Sequence, residues 1–61
     1  MIEVTAFDKG LEVFTVDTVS VEVGSTIDME GLEDCIIRIT NIRSHDEASG
    51  TAEVDVKYEW K

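Results

Sequence analysis

Residues 35–60, CIIRITNIRSHDEASGTAEVDVKYEW, decide the fold of this 61-residue chain. In CIIRITNIR (35–43) and TAEVDVKYEW (51–60) apolar side chains recur at alternate positions. Successive side chains of an extended backbone point to opposite faces, so this spacing predicts two strands with one buried face each. The intervening SHDEASG is polar and ends in glycine, which predicts a loop. Antiparallel pairing with Ile39 opposite Val56 sets Cys35 against Trp60, Ile37 against Tyr58 and Asn41 against Val54 on one face. Ile36, Arg38, Thr40 and Ile42 then share the other face with Glu53, Asp55, Lys57 and Glu59. A slip of one residue would bring Asp55 opposite Ile39, so the register is strongly specified. It also sets Arg38 diagonally between Asp55 and Glu59, where it screens their repulsion. Ile36 and Ile42, apolar amid charge, call for another strand or a partner to cover them.

Toward the N-terminus, IEVTAF and LEVFTV flank Asp8-Lys9-Gly10, which has the form of a three-residue hairpin loop with glycine at the left-handed position. No turn signal intervenes from Leu11 to Val23. Odd positions there keep one apolar face, but Phe14 and Val16 fall on the other, which predicts a bend or bulge near residues 16–18. In GSTIDMEGLEDC (24–35), TIDM reads as a short strand and EGLEDC as a turn of helix or 3₁₀, with Gly31 too central for a long helix. The expectation is one all-β domain spanning 1–61. It has about five antiparallel strands in a small barrel or sandwich and a short acidic crossover at residues 28–34. The predicted core is Val4, Leu11, Val13, Val19, Val21, Ile37, Ile39, Val54, Val56 and Tyr58.

A core this small usually needs a disulfide, a metal or another chain to hold it. The single cysteine, Cys35, excludes a disulfide within the chain, and the single histidine, His45, does not suit a zinc site. A protein partner or homo-oligomer is therefore expected. No stretch approaches the roughly 18 apolar residues of a membrane-spanning helix. MIEVTAFDKG lacks the features of a signal peptide, and a lone cysteine suits a reducing compartment, so the expected location is cytoplasmic.

Fourteen acids against five lysines and arginines give a formal net charge of −9. Such a surface repels phosphate, which disfavours direct nucleic-acid binding and anionic membranes and favours a basic protein partner. Catalysis has little to stand on. Cys35 and His45 could pair as thiolate and imidazolium, but the register places Cys35 on the core face and His45 in a solvated loop. Asp28, Glu30, Glu33 and Asp34 carry hard oxygen ligands, yet their spacing is not that of a calcium loop. The reading is of a non-enzyme that needs no cofactor and no metal.

Acids on a strand offer another chemistry. Alternate strand residues stand about 6.6 Å apart, so rows such as Glu53 with Asp55, or Glu3 with Glu12 and Glu22 nearby, present carboxylates at a spacing of the same order as successive phosphates. In size, charge and β content the chain resembles small phage-encoded inhibitors, including some anti-CRISPR and uracil-glycosylase-inhibitor proteins. That likeness implies an acidic decoy, in the host cytoplasm, covering a basic surface of a nucleic-acid-handling partner. The contact residues expected from sequence are Asp28, Met29, Glu30, Leu32, Glu33 and Asp34 on the crossover, with Ile36, Ile42, Glu53 and Asp55 on the mixed strand face. Two other readings fit the composition: a β-module of a halophilic organism, and a structural subunit that pairs through a strand edge.

Overall fold

The computed structural model describes residues 1–29, 31 and 33–60. It is all-β: β1 (Ile2–Asp8), β2 (Leu11–Thr18), β3 (Thr26–Ile27), β4 (Cys35–Asp46) and β5 (Thr51–Trp60). They form one sheet in the order β2-β1-β5-β4-β3, curled into a half-barrel. The β1–β2, β3–β4 and β4–β5 pairs are antiparallel, as expected from sequence. The fourth pair, β1 with β5, is parallel, so the sheet is mixed. It joins the two hairpins and sets Val4 beside Ala52 and Ala6 beside Val54. All four residues are buried.

The first hairpin is tighter than its sequence suggests. Asp8 pairs with Leu11, leaving a two-residue loop in which both Lys9 (φ 55°) and Gly10 (φ 82°) are left-handed. Two positive φ values in succession match the right-handed twist of the flanking strands. The irregularity expected near residues 16–18 lies earlier: Ala6 pairs with Phe14 but Phe7 with Glu12, so Val13 is the extra residue. This bulge turns Phe14 and Val16 toward the core and leaves Val13 exposed, while Leu11 is exposed at the hairpin end opposite Asp8. Strand β2 ends at Thr18. Val19 and Val23 lie exposed in the following connection, while Val21 is half-buried against the core. The sequence reading of Leu11, Val13 and Val19 as core is thus corrected: Val13 is the bulged residue, Leu11 sits at the hairpin end opposite Asp8, and Val19 lies beyond β2.

Gly24 (φ 91°) supplies the left-handed residue of a turn closed by Ser25, whose amide and hydroxyl both donate to the Glu22 carbonyl at 3.2 and 2.7 Å. The Gly24 amide donates to the Ile39 carbonyl (2.8 Å) and the Ile39 amide to the Ser25 carbonyl (2.9 Å), so this segment is fastened to β4. It delivers Ile27 opposite Ile37 in the core. Residues 28–34 are therefore the link of the β3–β4 hairpin. Gly31, Glu33 and Asp34 lie in turns and not in the helical turn expected, while Glu30 and Leu32 lie outside the described residues.

The β4–β5 register is as deduced for Cys35–Trp60, Ile37–Tyr58 and Ile39–Val56. It then shifts: Asn41 faces Asp55, not Val54, and Ile42 faces Val54. Thr40 is the extra residue, its hydroxyl donating to the Asp55 carbonyl at 3.3 Å. The gain is burial, since the shift exchanges polar Asn41 for Ile42, which packs on the core. A second shift follows between Ile42 and Ser44. Among the described residues the core is Val4, Ala6, Ile27, Ile37, Ile39, Ala52, Val54 and Val56, with no buried polar or charged side chain.

Candidate partner-binding site

The sheet positions two surfaces of distinct chemistry. The first is its solvent face, set by the residues between the buried ones. Glu3 stands directly opposite Asp17, Thr5 lies between Thr15 and Glu53, and Phe7 lies between Glu12 and Asp55. Like charges directly opposite on a sheet are destabilising by about 0.2–1 kcal/mol. The basic residues gather on the β4 side of this face. Arg38 Nε is 2.7 Å from Glu59 Oε2 and Nη1 donates to the Gly24 carbonyl at 2.9 Å, so one guanidinium ties the 24–27 segment and β5 to β4. Arg38 is thus an ion-pair partner of Glu59, while Asp55 instead meets Arg43 (3.4 Å) and the Asn41 amide (3.1 Å). Glu3 and Asp17 pair on β1 and β2, while Glu53 accepts from the hydroxyl of Ser44, the β4 residue next to Arg43, at 3.3 Å.

The second surface is a cleft at one end of the half-barrel. The β1–β5 pairing stops at Asp55 and β3 meets β4 only at Ile37 and Arg38. The ends of β4 and β5 therefore extend past their neighbours as a two-stranded ribbon. On it, Cys35, Tyr58 and Trp60 face the turn containing Gly31, Glu33 and Asp34 across an open cleft of about 650 Å³. Trp60 is 84% and Tyr58 40% exposed. Burial raises the Tyr58 phenol above its ordinary value, and the charge of Asp8 and the Cys35 thiol add to the shift.

The sequence-derived contact residues divide between these surfaces. Glu33 and Asp34 line the cleft. Asp28 is exposed beside it in sequence, whereas Met29 packs against the core. Ile42, expected on the mixed face, also packs on the core because of the Thr40 bulge, so it is removed from the contact set. Ile36 is half-buried opposite Glu59, and Glu53 and Asp55 lie on the solvent face. The residues that pattern reading missed are Tyr58 and Trp60. Alternation assigns them to the core side, which is their side of β5; among the described residues no further strand pairs beside the ribbon there. The signal was positional, since both follow the last buried residue, Val56.

Other chemistry gathers little at either place. Among the described residues no three histidine, cysteine, aspartate or glutamate side chains come together as a metal-holding group. Cys35 is half-buried and lies in the cleft, while His45 is exposed on β4 opposite Ala52, at the other end of the β4–β5 hairpin. No helix among the described residues is long and apolar enough to cross a membrane. No protein-family model matches the chain, and no curated protein and no solved structure matches it.

Proposed function

We propose that this protein is a small acidic interaction module, an inhibitor or decoy that covers a basic surface of a nucleic-acid-handling protein. The observation that carries the reading is the juxtaposition of Glu3 and Asp17 on adjacent strands, with Glu53 diagonal to them across β1. A sheet gains nothing by setting carboxylates against one another, and a basic partner would turn that repulsion into attraction on contact. Carboxylates spaced by strand and pleat are of the right order to stand in for a phosphate row. Long-range attraction between a surface of net charge −9 and a basic groove would govern the encounter rate.

The test is competition. A nucleic-acid-binding protein captured on immobilised wild-type chain is challenged with duplex DNA, and the capture is repeated with Glu3→Lys/Asp17→Lys/Glu53→Lys and with Glu30→Lys/Glu33→Lys/Asp34→Lys. Displacement by DNA, and slower association of a folded charge-reversed variant, are the expected results. Equal association by both folded variants, with no competition from DNA, overturns the decoy reading.

A second reading, self-assembly through a strand edge, is favoured by β2. It is an outer strand of the sheet, and it carries Leu11 at 71% and Val13 at 42% exposure. Unpaired backbone groups beside exposed apolar side chains invite a further strand. Sedimentation across a concentration series decides it: a concentration-dependent dimer abolished by Val13→Lys supports this reading, and a monomer throughout removes it.

A further inference from the structure

From the cleft lined by Gly31, Glu33 and Asp34 and by the overhanging ends of β4 and β5, we infer that this site takes an arginine side chain from an exposed segment of the basic partner, stacked on Trp60 and held by the carboxylates of Glu33 and Asp34. The inference rests on the interaction reading above and names its anchor. Three features lead to it. Trp60 is 84% exposed on a regular strand, paired through Cys35 but covered by nothing among the described residues. A large aromatic side chain gains most by burial, and its exposure on a chain with so small a core marks a contact site. The cleft holds about 650 Å³, room for a long side chain with part of its backbone.

Charge complementarity selects the occupant. Glu33 and Asp34 line the cleft, so an anion there would meet two carboxylates. A neutral apolar side chain would bury Trp60 but leave those carboxylates facing apolar atoms. A cation satisfies both, drawn to the indole face by its quadrupole and to the carboxylates by charge. Arginine fits better than lysine because its flat guanidinium stacks on indole while its edge still donates to carboxylates, and because it is less strongly hydrated than an ammonium. Tryptophan and tyrosine are enriched, and arginine with them, at the anchor points of protein interfaces. The solvent-face acids would then steer the approach, and the cleft would hold what arrives.

The experiment exploits Trp60 as the only tryptophan in the chain. Its fluorescence is titrated at low salt with a short glycine-serine peptide carrying one arginine, and with the same peptide carrying citrulline or lysine. Backbone amide shifts are followed in parallel. The arginine peptide should perturb Trp60 and the amides of Glu33, Asp34 and Cys35, the lysine peptide should bind more weakly, and the citrulline peptide should bind least. Trp60→Leu should weaken arginine-peptide binding about fivefold, with Trp60→Phe intermediate, as expected for loss of a cation–π contact. Glu33→Gln/Asp34→Asn should weaken it and flatten its salt dependence. Glu3→Gln/Asp17→Asn/Glu53→Gln, compared with wild type at about 0.15 M salt where the Debye length is about 8 Å, should leave this short-peptide affinity within about twofold.

Citrulline binding as tightly as arginine overturns the cation assignment, and lysine binding more tightly overturns the choice of arginine. Arginine-peptide shifts confined to the solvent face, with Trp60 unmoved, overturn the cleft while leaving the acidic-module reading intact. Absence of binding at any surface removes the cleft inference. The partner competition above then decides separately whether the wider reading survives.

Discussion

The guanidinium carbon of Arg43 lies 4.4 Å from the centroid of the Phe7 ring, although the two residues sit on strands that do not touch. Asp55, on the strand between them, pairs with Phe7 in the sheet register and meets Arg43 Nε at 3.4 Å. Three strands are thus crossed by one contact on the solvent face. It exists because β4 shifts register on either side of Asn41 and Ile42, which brings Arg43 over β5. Both ionic partners are more than a third exposed, so the stacking on Phe7 carries more of the interaction than the charge pair does. A double-mutant cycle with Arg43→Gln and Phe7→Leu in urea should give a coupling of about 0.5–1 kcal/mol. Additive losses would show that the stack contributes nothing in solution.

The Thr40 bulge makes a sharper prediction about packing. Ile42 packs on the core and Ile36 does not, though both alternate with the same neighbours in sequence. Ile42→Ala should therefore cost about 1–2 kcal/mol and Ile36→Ala less than about 1, read from urea midpoints at constant slope. At the centre of the sheet, Ile39→Asp should abolish cooperative unfolding, because it places an unpaired charge where the wild-type side chain is 2% exposed. A cooperative melt retained by Ile39→Asp would mean the register is wrong.

The hairpin turn offers a stabilising change. Lys9 holds a left-handed conformation (φ 55°) that a long side chain pays for sterically, and asparagine tolerates better. Lys9→Asn should raise stability on the order of 0.5 kcal/mol, and Gly10→Ala, at φ 82°, should lower it by about 1. Nothing lies close enough to Gly10 for an added methyl group to clash, so the loss would report backbone conformation alone.

Acid should loosen the β4–β5 loop before the sheet. The nearby Ser49 side chain favours the charged Asp46 carboxylate most, followed by the Ser49 and Ala48 amides, which donate to it at 3.3 and 3.0 Å, and His45 adds a smaller attraction. Together they hold Asp46 below its ordinary value. A depressed carboxylate contributes stability above the unfolded-state value, and that contribution is lost as pH falls through the folded one, here below about pH 4. The Ala48 and Ser49 amide shifts should titrate together in that range and lose the transition in Asp46→Asn. A wild-type midpoint at or above the ordinary aspartate value would refute the capping role.

Alkali probes the cleft in the opposite sense. Burial first, then Asp8 and Cys35, raise the Tyr58 phenol, so ionisation of this single tyrosine should be centred above about pH 10. With the folded value raised, the associated stability is complete below the unfolded-state value and is lost as pH rises through the folded one. Absorbance titration of Asp8→Asn should move the midpoint down only partly, since burial is the larger cause. Full reversion would make Asp8 the dominant influence and bring it closer to the phenol than the fold implies.

Much of the sheet was legible before any coordinates. The β4–β5 pairing from Cys35–Trp60 to Ile39–Val56 follows from alternation alone, since only that register keeps Asp55 away from the core. Lys9 and Gly10 mark the first turn for the same local reason. Charge was equally legible, being a sum over residues independent of their placement. What alternation does not carry is the position of an inserted residue. Val13 and Thr40 each invert the pattern beyond them, which turns Phe14 and Val16 onto the face of Leu11, packs Ile42 on the core and brings Arg43 to Phe7.

The sequence by itself determined that the chain would be all-β, acidic and organised around the 35–60 hairpin, because strand propensity, side-chain alternation and charge are local properties. Only the tertiary structure decided that β1 would lie parallel to β5, and that the ends of β4 and β5 would project beyond the other strands. Those outcomes depend on how two separately specified hairpins share one core, where small Ala6 and Ala52 beside Val4 and Val54 set the fit. The cleft follows from the same cause. Trp60 sits on the core side of its strand by alternation, and it is exposed where the pairing of β1 and β3 stops short of the Cys35–Trp60 end.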